Sequence, residues 1–90
     1  MNIKKNVIEV IKKPDYPSGY NEIYYFTGVS LDNNGHISVN TTPNIWDALR
    51  FMCNPNFDSE NKKLMALVDF IHFFYGHKYE VKVIPINLEY

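Results

Sequence analysis

Three histidines and one cysteine are the side chains of this chain best suited to metal binding or nucleophilic chemistry. His72 and His77 are five residues apart, whereas metal-binding histidines on a helix are spaced four apart. Cys53 closes a predicted helix, where the helix dipole opposes formation of a thiolate. We therefore expect Cys53 to be a structural thiol, His72 and His77 to complement a helix C-terminus, and no metal to be bound.

Recognisable catalytic motifs are absent from the sequence. It has no nucleophile elbow and no paired catalytic carboxylates, and its glycines, at 19, 28, 35 and 76, form no phosphate-binding pattern. We therefore expect a non-enzymatic protein with no cofactor and no catalytic residues. A pocket assembled from distant residues stays open as an alternative, with His36 as its first candidate.

Composition and charge exclude several functional classes. Nine basic and ten acidic residues give a net charge of −1, and Arg50 is the only arginine. This balance provides neither the basic stripe of a duplex-DNA binder nor the acidity of a nucleic-acid mimic. The N-terminal segment, interrupted by Glu9 and Lys12, is no signal peptide, and no window approaches the ~20 apolar residues of a membrane span. The lone cysteine suits a reducing compartment, so we expect a cytoplasmic protein without membrane contact.

The order of the predicted elements indicates one α+β domain over residues 1–90. Its β-branched residues favour a strand at 7–12, although the apolar spacing there also fits a helix. Residues 13–21 form a loop, and a last strand starts at Tyr79 and is an edge strand or ends at Pro85. Two helices lie between, and we expect them to pack on one face of a mainly antiparallel sheet of three or four strands.

The first predicted helix begins at Thr42 as N-cap, with Pro43 in its first turn, and ends at Asn54-Pro55. The second runs from near Asp58 to Tyr75 and is capped by Gly76. It has the strongest helical periodicity in the chain, with an apolar stripe at Leu64, Leu67, Val68, Ile71, Phe74 and Tyr75. Phe73 lies nearly opposite this stripe and Phe70 lies outside it, so both are expected on the surface.

A β-hairpin is predicted before these helices, with its register set by the hydrophobic pattern. A three-residue loop, Asn33-Asn34-Gly35, places apolar residues opposite each other, whereas a two-residue loop would oppose apolar to polar residues. The expected pairs are Leu31–Ile37, Val29–Val39 and Thr27–Thr41. The core face would then hold Ile23, Tyr25, Thr27, Val29, Leu31, Ile37 and Val39. The opposite face would hold Tyr24, Phe26, Gly28, Ser30, His36, Ser38 and Asn40.

This second face raises three alternatives, because it presents Tyr24 and Phe26 where water is expected. An arm of the chain, including Tyr16 or Tyr20, could cover the rings. Bases of RNA or single-stranded DNA could stack on them, although the strand pair has no cations. A protein partner or a second copy of the chain could bury them, as aromatic residues do at interface centres. We favour the last alternative, with Tyr24, Phe26, His36, Trp46, Phe70 and Phe73 as partner-binding residues.

The stretch YYFTGVSLDNNGHISVNTTPNIWDALRF resembles small uncharacterised proteins of phages and mobile elements in low-GC Gram-positive bacteria. The likeness consists of a tyrosine-rich hairpin followed by a short predicted helix ending in ALRF. It implies a protein that binds and inhibits a host or anti-phage defence protein, CRISPR machinery included. It assigns no functional residue.

Overall fold

The computed structural model describes residues 2–15, 17, 19–52 and 58–89. Its elements are β1 (Asn2–Lys12), β2 (Glu22–Leu31), β3 (Ile37–Thr42), a 3₁₀ turn (Ile45–Asp47), β4 (Phe51–Met52), α1 (Asp58–Tyr75) and β5 (Tyr79–Glu89). The predicted α+β class is confirmed. Four long antiparallel strands and the two-residue β4 form one sheet, and the described residues contain one α-helix where two were predicted.

β1 is the central strand, and it begins earlier than the predicted residue 7. β5 pairs with it along its whole length on one side. On the other side β2 pairs with residues 9–12, and β4 pairs with Lys5 and Asn6. Ile8 and Val10 are fully or almost fully buried under α1. Val7 and Ile11, on the opposite face of the strand, are buried as well, so the apolar run in β1 is explained by burial of both its faces.

The hairpin follows the predicted register near its turn and departs from it between Phe26 and Gly28. Leu31–Ile37 and Val29–Val39 pair as expected. The predicted Thr27–Thr41 pair is wrong, because Thr41 pairs with Phe26 instead. Thr27 is therefore an extra residue in a β-bulge, and such an insertion exchanges the faces of all residues on one side of it.

Phe26 lies on the helix side of the sheet, because it follows Tyr24 by two residues and Tyr24 pairs with Val10, which is buried under α1. Phe26 is 2% exposed and packs with Leu64, Val68 and Ile71 of the helix. Val39, beyond the bulge, also packs against this cluster. The prediction that Phe26 lies on an open face is therefore wrong.

Ile23 and Tyr25 lie on the face of the sheet away from α1, so their predicted place in the core under the helix is wrong. They pair with Ile11 and Glu9, whose side chains point to the same face. This face is itself apolar near its centre, where Val7 and Ile11 are buried.

The predicted helix from Thr42 to Asn54 is wrong in its described part. Asn44, rather than Thr42, caps a single 3₁₀ turn by accepting a hydrogen bond from the Trp46 N–H at 3.1 Å. The Leu49 N–H donates to the Phe26 carbonyl at 2.9 Å, and the Phe51 ring stacks on the Phe26 ring with centroids 6.4 Å apart. Sheet hydrogen bonds and core packing thus outweigh the local helix signals. Cys53 and the Asn54-Pro55 stop signal lie outside the described residues.

α1 has the bounds that the sequence predicts. Gly76 adopts φ 85°, a left-handed conformation that favours glycine, and its N–H donates to the His72 carbonyl at 2.9 Å. This cap turns the chain directly into β5. Leu64, Val68 and Ile71 face the sheet, so the side of α1 opposite them points to solvent.

Candidate protein-binding surface

The outward side of α1 carries an aromatic face, defined here as Ala66, Phe70, Phe73 and Phe74. These residues are spaced at i, i+4, i+7 and i+8, which places them on one side of a helix. Phe73 is 88% exposed, Phe74 45% and Phe70 38%. The expected exposure of Phe70 and Phe73 is thereby confirmed.

The three rings form an apolar area comparable to the largest apolar patch of a typical monomer. A phenylalanine buries about 200 Å² when it is fully covered, so the exposed fractions correspond to roughly 300 Å². A typical monomer has a largest apolar patch of about 300–600 Å², and such patches are often functional. A standard interface covers about 800 Å² per partner, so a partner would contact the surrounding residues as well.

The surroundings of the aromatic face are polar. Lys62, Lys63 and Asp69 of the same helix are exposed. An apolar centre with a charged rim is the usual composition of a protein–protein interface. The arrangement therefore fits a protein surface better than a nucleic acid, which would need a concentration of cations.

A second exposed apolar patch lies on the hairpin arm, defined here as residues 28–40 beyond the bulge. Leu31 is 68% exposed, and Val29 and Ile37 are each 48% exposed. By their register they share a face with Val39, which packs against the core under α1. Both apolar patches are consequently on the helix side of the sheet.

Three tyrosines meet where the end of α1 lies over the sheet. The centroids of the Tyr75 and Tyr79 rings are 4.6 Å apart. Together with Tyr24, these two residues line a cavity of about 190 Å³. The Tyr24 hydroxyl donates to the Glu22 carboxylate at 3.2 Å. This bond and the negative charge of Glu22 raise the pKa of the Tyr24 phenol, whereas the pKa of Tyr75 is raised mainly by burial. The cavity is smaller than the ~300–1,000 Å³ of typical ligand sites.

An open cleft of about 480 Å³ lies between α1 and β5, at the helix C-terminus where the sequence places His72 and His77. His72, His77, Asp69 and Glu80 line it, above Val68 and Val81. Within the described ranges, no group of three or more histidine, cysteine, aspartate or glutamate side chains could hold a metal ion. The cleft does not assemble a recognisable reaction centre.

The other predicted partner-binding residues are scattered. Tyr24 is half-buried in the tyrosine cavity. His36 lies in the hairpin turn, with its Nδ1 3.3 Å from the Asp32 carboxylate. Trp46 is 59% exposed in the 3₁₀ turn. Phe26 is buried, so the proposed stacking platform of Tyr24 and Phe26 lacks one of its two rings.

Sequence reasoning missed Phe74 and the hairpin arm as surface. Phe74 was assigned to the core stripe, but it sits at the margin of that stripe, and its ring packs edge-on against Tyr75 with centroids 5.2 Å apart. The arm residues were assigned to the core because their alternation is regular. Only the length of the hairpin relative to α1 could have indicated that the hairpin tip extends past the part of the sheet that α1 covers.

Comparison with known proteins adds no relative, since no family model, curated protein or solved structure matches this chain. No helix in the described part of the chain is long and apolar enough to cross a membrane.

Proposed function

We propose that this chain is a non-enzymatic protein-interaction module that docks on another protein through the aromatic face of α1. The observation that carries the proposal is the 88% exposure of Phe73 on a helix whose opposite side already supplies the core. Phe73 contributes little to packing within the chain, and covering its ring by a partner would remove apolar surface from water, which is favourable. Phe70 and Phe74 extend the contact area on either side of it.

The class of partner that we propose rests on the resemblance to small phage and mobile-element proteins. That resemblance supports a host or anti-phage defence protein as the partner, with the chain acting as an inhibitor that occludes a site on it. The nearly neutral charge supports contact through apolar surface rather than imitation of nucleic acid. The module needs no cofactor for this role.

The test compares two substitutions of equally exposed rings. Phe73→Ser removes the centre of the aromatic face, while Tyr20→Ser removes a ring that is 92% exposed in the loop before β2. Serine and phenylalanine have similar helix propensities, so Phe73→Ser should change the free energy of unfolding by less than about 1 kcal/mol. Tyr20→Ser is the matched control for general loss of aromatic surface.

Wild type and both variants are used as bait in lysate of a low-GC Gram-positive bacterium, and captured proteins are quantified by mass spectrometry. We expect wild type and Tyr20→Ser to recover the same partner, and Phe73→Ser to recover at least about tenfold less, as for an interface hot spot. Equal recovery by all three proteins would contradict the proposal. Recovery of nucleic acid that falls steeply with rising salt would support the RNA or single-stranded DNA alternative instead.

A further inference from the structure

We infer that the outer edge of β3 binds the β3 strand of a second copy of this chain, in antiparallel pairing about a two-fold axis at Val39. This site lies on the hairpin arm and is distinct from the aromatic face of α1. The inference stands on the edge chemistry of the two outermost strands and on the register of the hairpin.

The two outermost strands of the sheet differ in how they are protected. β5 carries Glu80, Lys82 and Pro85, residue types that block the addition of a further strand. β3, with the sequence ISVNTT, has no charged residue and no proline. In the described part of the chain β3 pairs with β2 alone, so its other edge presents unpaired backbone groups.

Backbone direction identifies the groups that are free on this edge. The Asp32 N–H donates to the His36 carbonyl at 3.0 Å, so the backbone of residue 36 points toward β2. Backbone groups of successive residues in a strand alternate in direction. The N–H and C=O groups of Ile37, Val39 and Thr41 therefore point outward.

These outward groups match those of a second copy. If Val39 pairs with Val39 of the second copy, Ile37 pairs with Thr41 in both directions, and all the outward groups meet in hydrogen-bonded pairs. A two-fold axis perpendicular to the sheet keeps both helices on the same side and makes the contact closed, as in most homodimers. No like charges oppose each other in this register, because the strand has none.

The same register brings Ser38 opposite Asn40 of the second copy on the face away from α1. Both side chains are exposed, and within the chain they pair with Ser30 and Gly28, which are uncharged. Charges introduced at 38 and 40 therefore probe the contact between copies without touching the core.

The experiment uses the full chain and a matched pair of double variants. S38K/N40K places lysine opposite lysine across the two-fold axis, and S38E/N40K places glutamate opposite lysine. Sedimentation equilibrium over a concentration series should show a dimer for wild type and S38E/N40K, with the dissociation constant raised at least about tenfold in S38K/N40K. Far-UV circular dichroism and thermal melting verify that each variant is folded.

Amide hydrogen exchange in the wild type provides a measurement that needs no variant. The Val39 N–H should be protected increasingly as protein concentration rises, while the Leu31 side of the arm shows no such dependence. A wild type that is monomeric up to about 1 mM, or equal dimerisation of the two double variants, would overturn the inference. A dimer that persists in S38K/N40K and dissociates in Phe73→Ser would also overturn it and assign self-association to the aromatic face.

Discussion

Replacing Phe26 by alanine gives the sharpest test of where this chain divides core from binding surface. Phe26 is 2% exposed, packs with three residues of α1, and stacks on Phe51. Deleting a buried phenylalanine ring costs about 3–5 kcal/mol, from lost transfer free energy and the cavity left behind. A 90-residue domain has roughly 5–13 kcal/mol of total stability, so Phe26→Ala should lose about a quarter of it or more.

Phe73→Ala is the matched variant, since the same ring is removed from an 88% exposed site. It should change stability by less than about 1 kcal/mol, and the higher helix propensity of alanine favours a small gain. Urea unfolding followed by far-UV circular dichroism measures both. At a slope of about 2 kcal/mol/M, the midpoint should fall by about 2 M for Phe26→Ala and stay nearly constant for Phe73→Ala. Equal, small shifts in both variants would refute the placement of Phe26 in the core.

Two further predictions concern the hairpin and its base. Gly35 adopts φ 81° in the hairpin turn, so Gly35→Ala should destabilise the protein by about 1–2 kcal/mol, measured by thermal melting. Gly35→Asn should destabilise it less, because asparagine tolerates the left-handed conformation better than alanine. Equal stability of wild type and both variants would contradict this account of the turn. Glu22→Gln removes the charge that raises the pKa of Tyr24, so the Tyr24 phenol should titrate at lower pH than in wild type; nuclear magnetic resonance of ring-labelled tyrosine measures this, and an unchanged pKa would exclude Glu22 as the cause.

The elements that could be predicted from sequence are those whose signals agree with each other. α1 combines a strong apolar period with a glycine cap, and it has the predicted bounds. The turn at residues 32–36 also forms as expected, because the Asp32 carboxylate accepts hydrogen bonds from the N–H groups of Asn34 and His36. In both cases local chemistry and the global fold favour the same structure.

The elements that were predicted wrongly are those whose structure is set by contacts with residues distant in the sequence. Thr42 and Pro43 are good helix-start residues, yet Leu49 donates its N–H to Phe26 and Phe51 packs on the same ring. These contacts join segments about 25 residues apart along the chain, so no local pattern records them. The bulge is of the same kind, since an extra residue leaves the alternation of side chains in the sequence unchanged while reversing the faces in the fold.

The bulge also decides which residues are available for binding. Tyr24 pairs with Val10, which is buried under α1, so Phe26, two residues further along β2, faces the helix before the bulge is reached. The extra residue at Thr27 then brings the apolar residues beyond it, Val29 and Leu31, to the helix side as well, where α1 does not cover them. One inserted residue thus moves the candidate binding area from the back of the sheet to the helix side. Phe73 is exposed as helix periodicity predicts, because α1 is regular, whereas the face predicted for Phe26 is counted from the hairpin tip across the bulge and is therefore reversed.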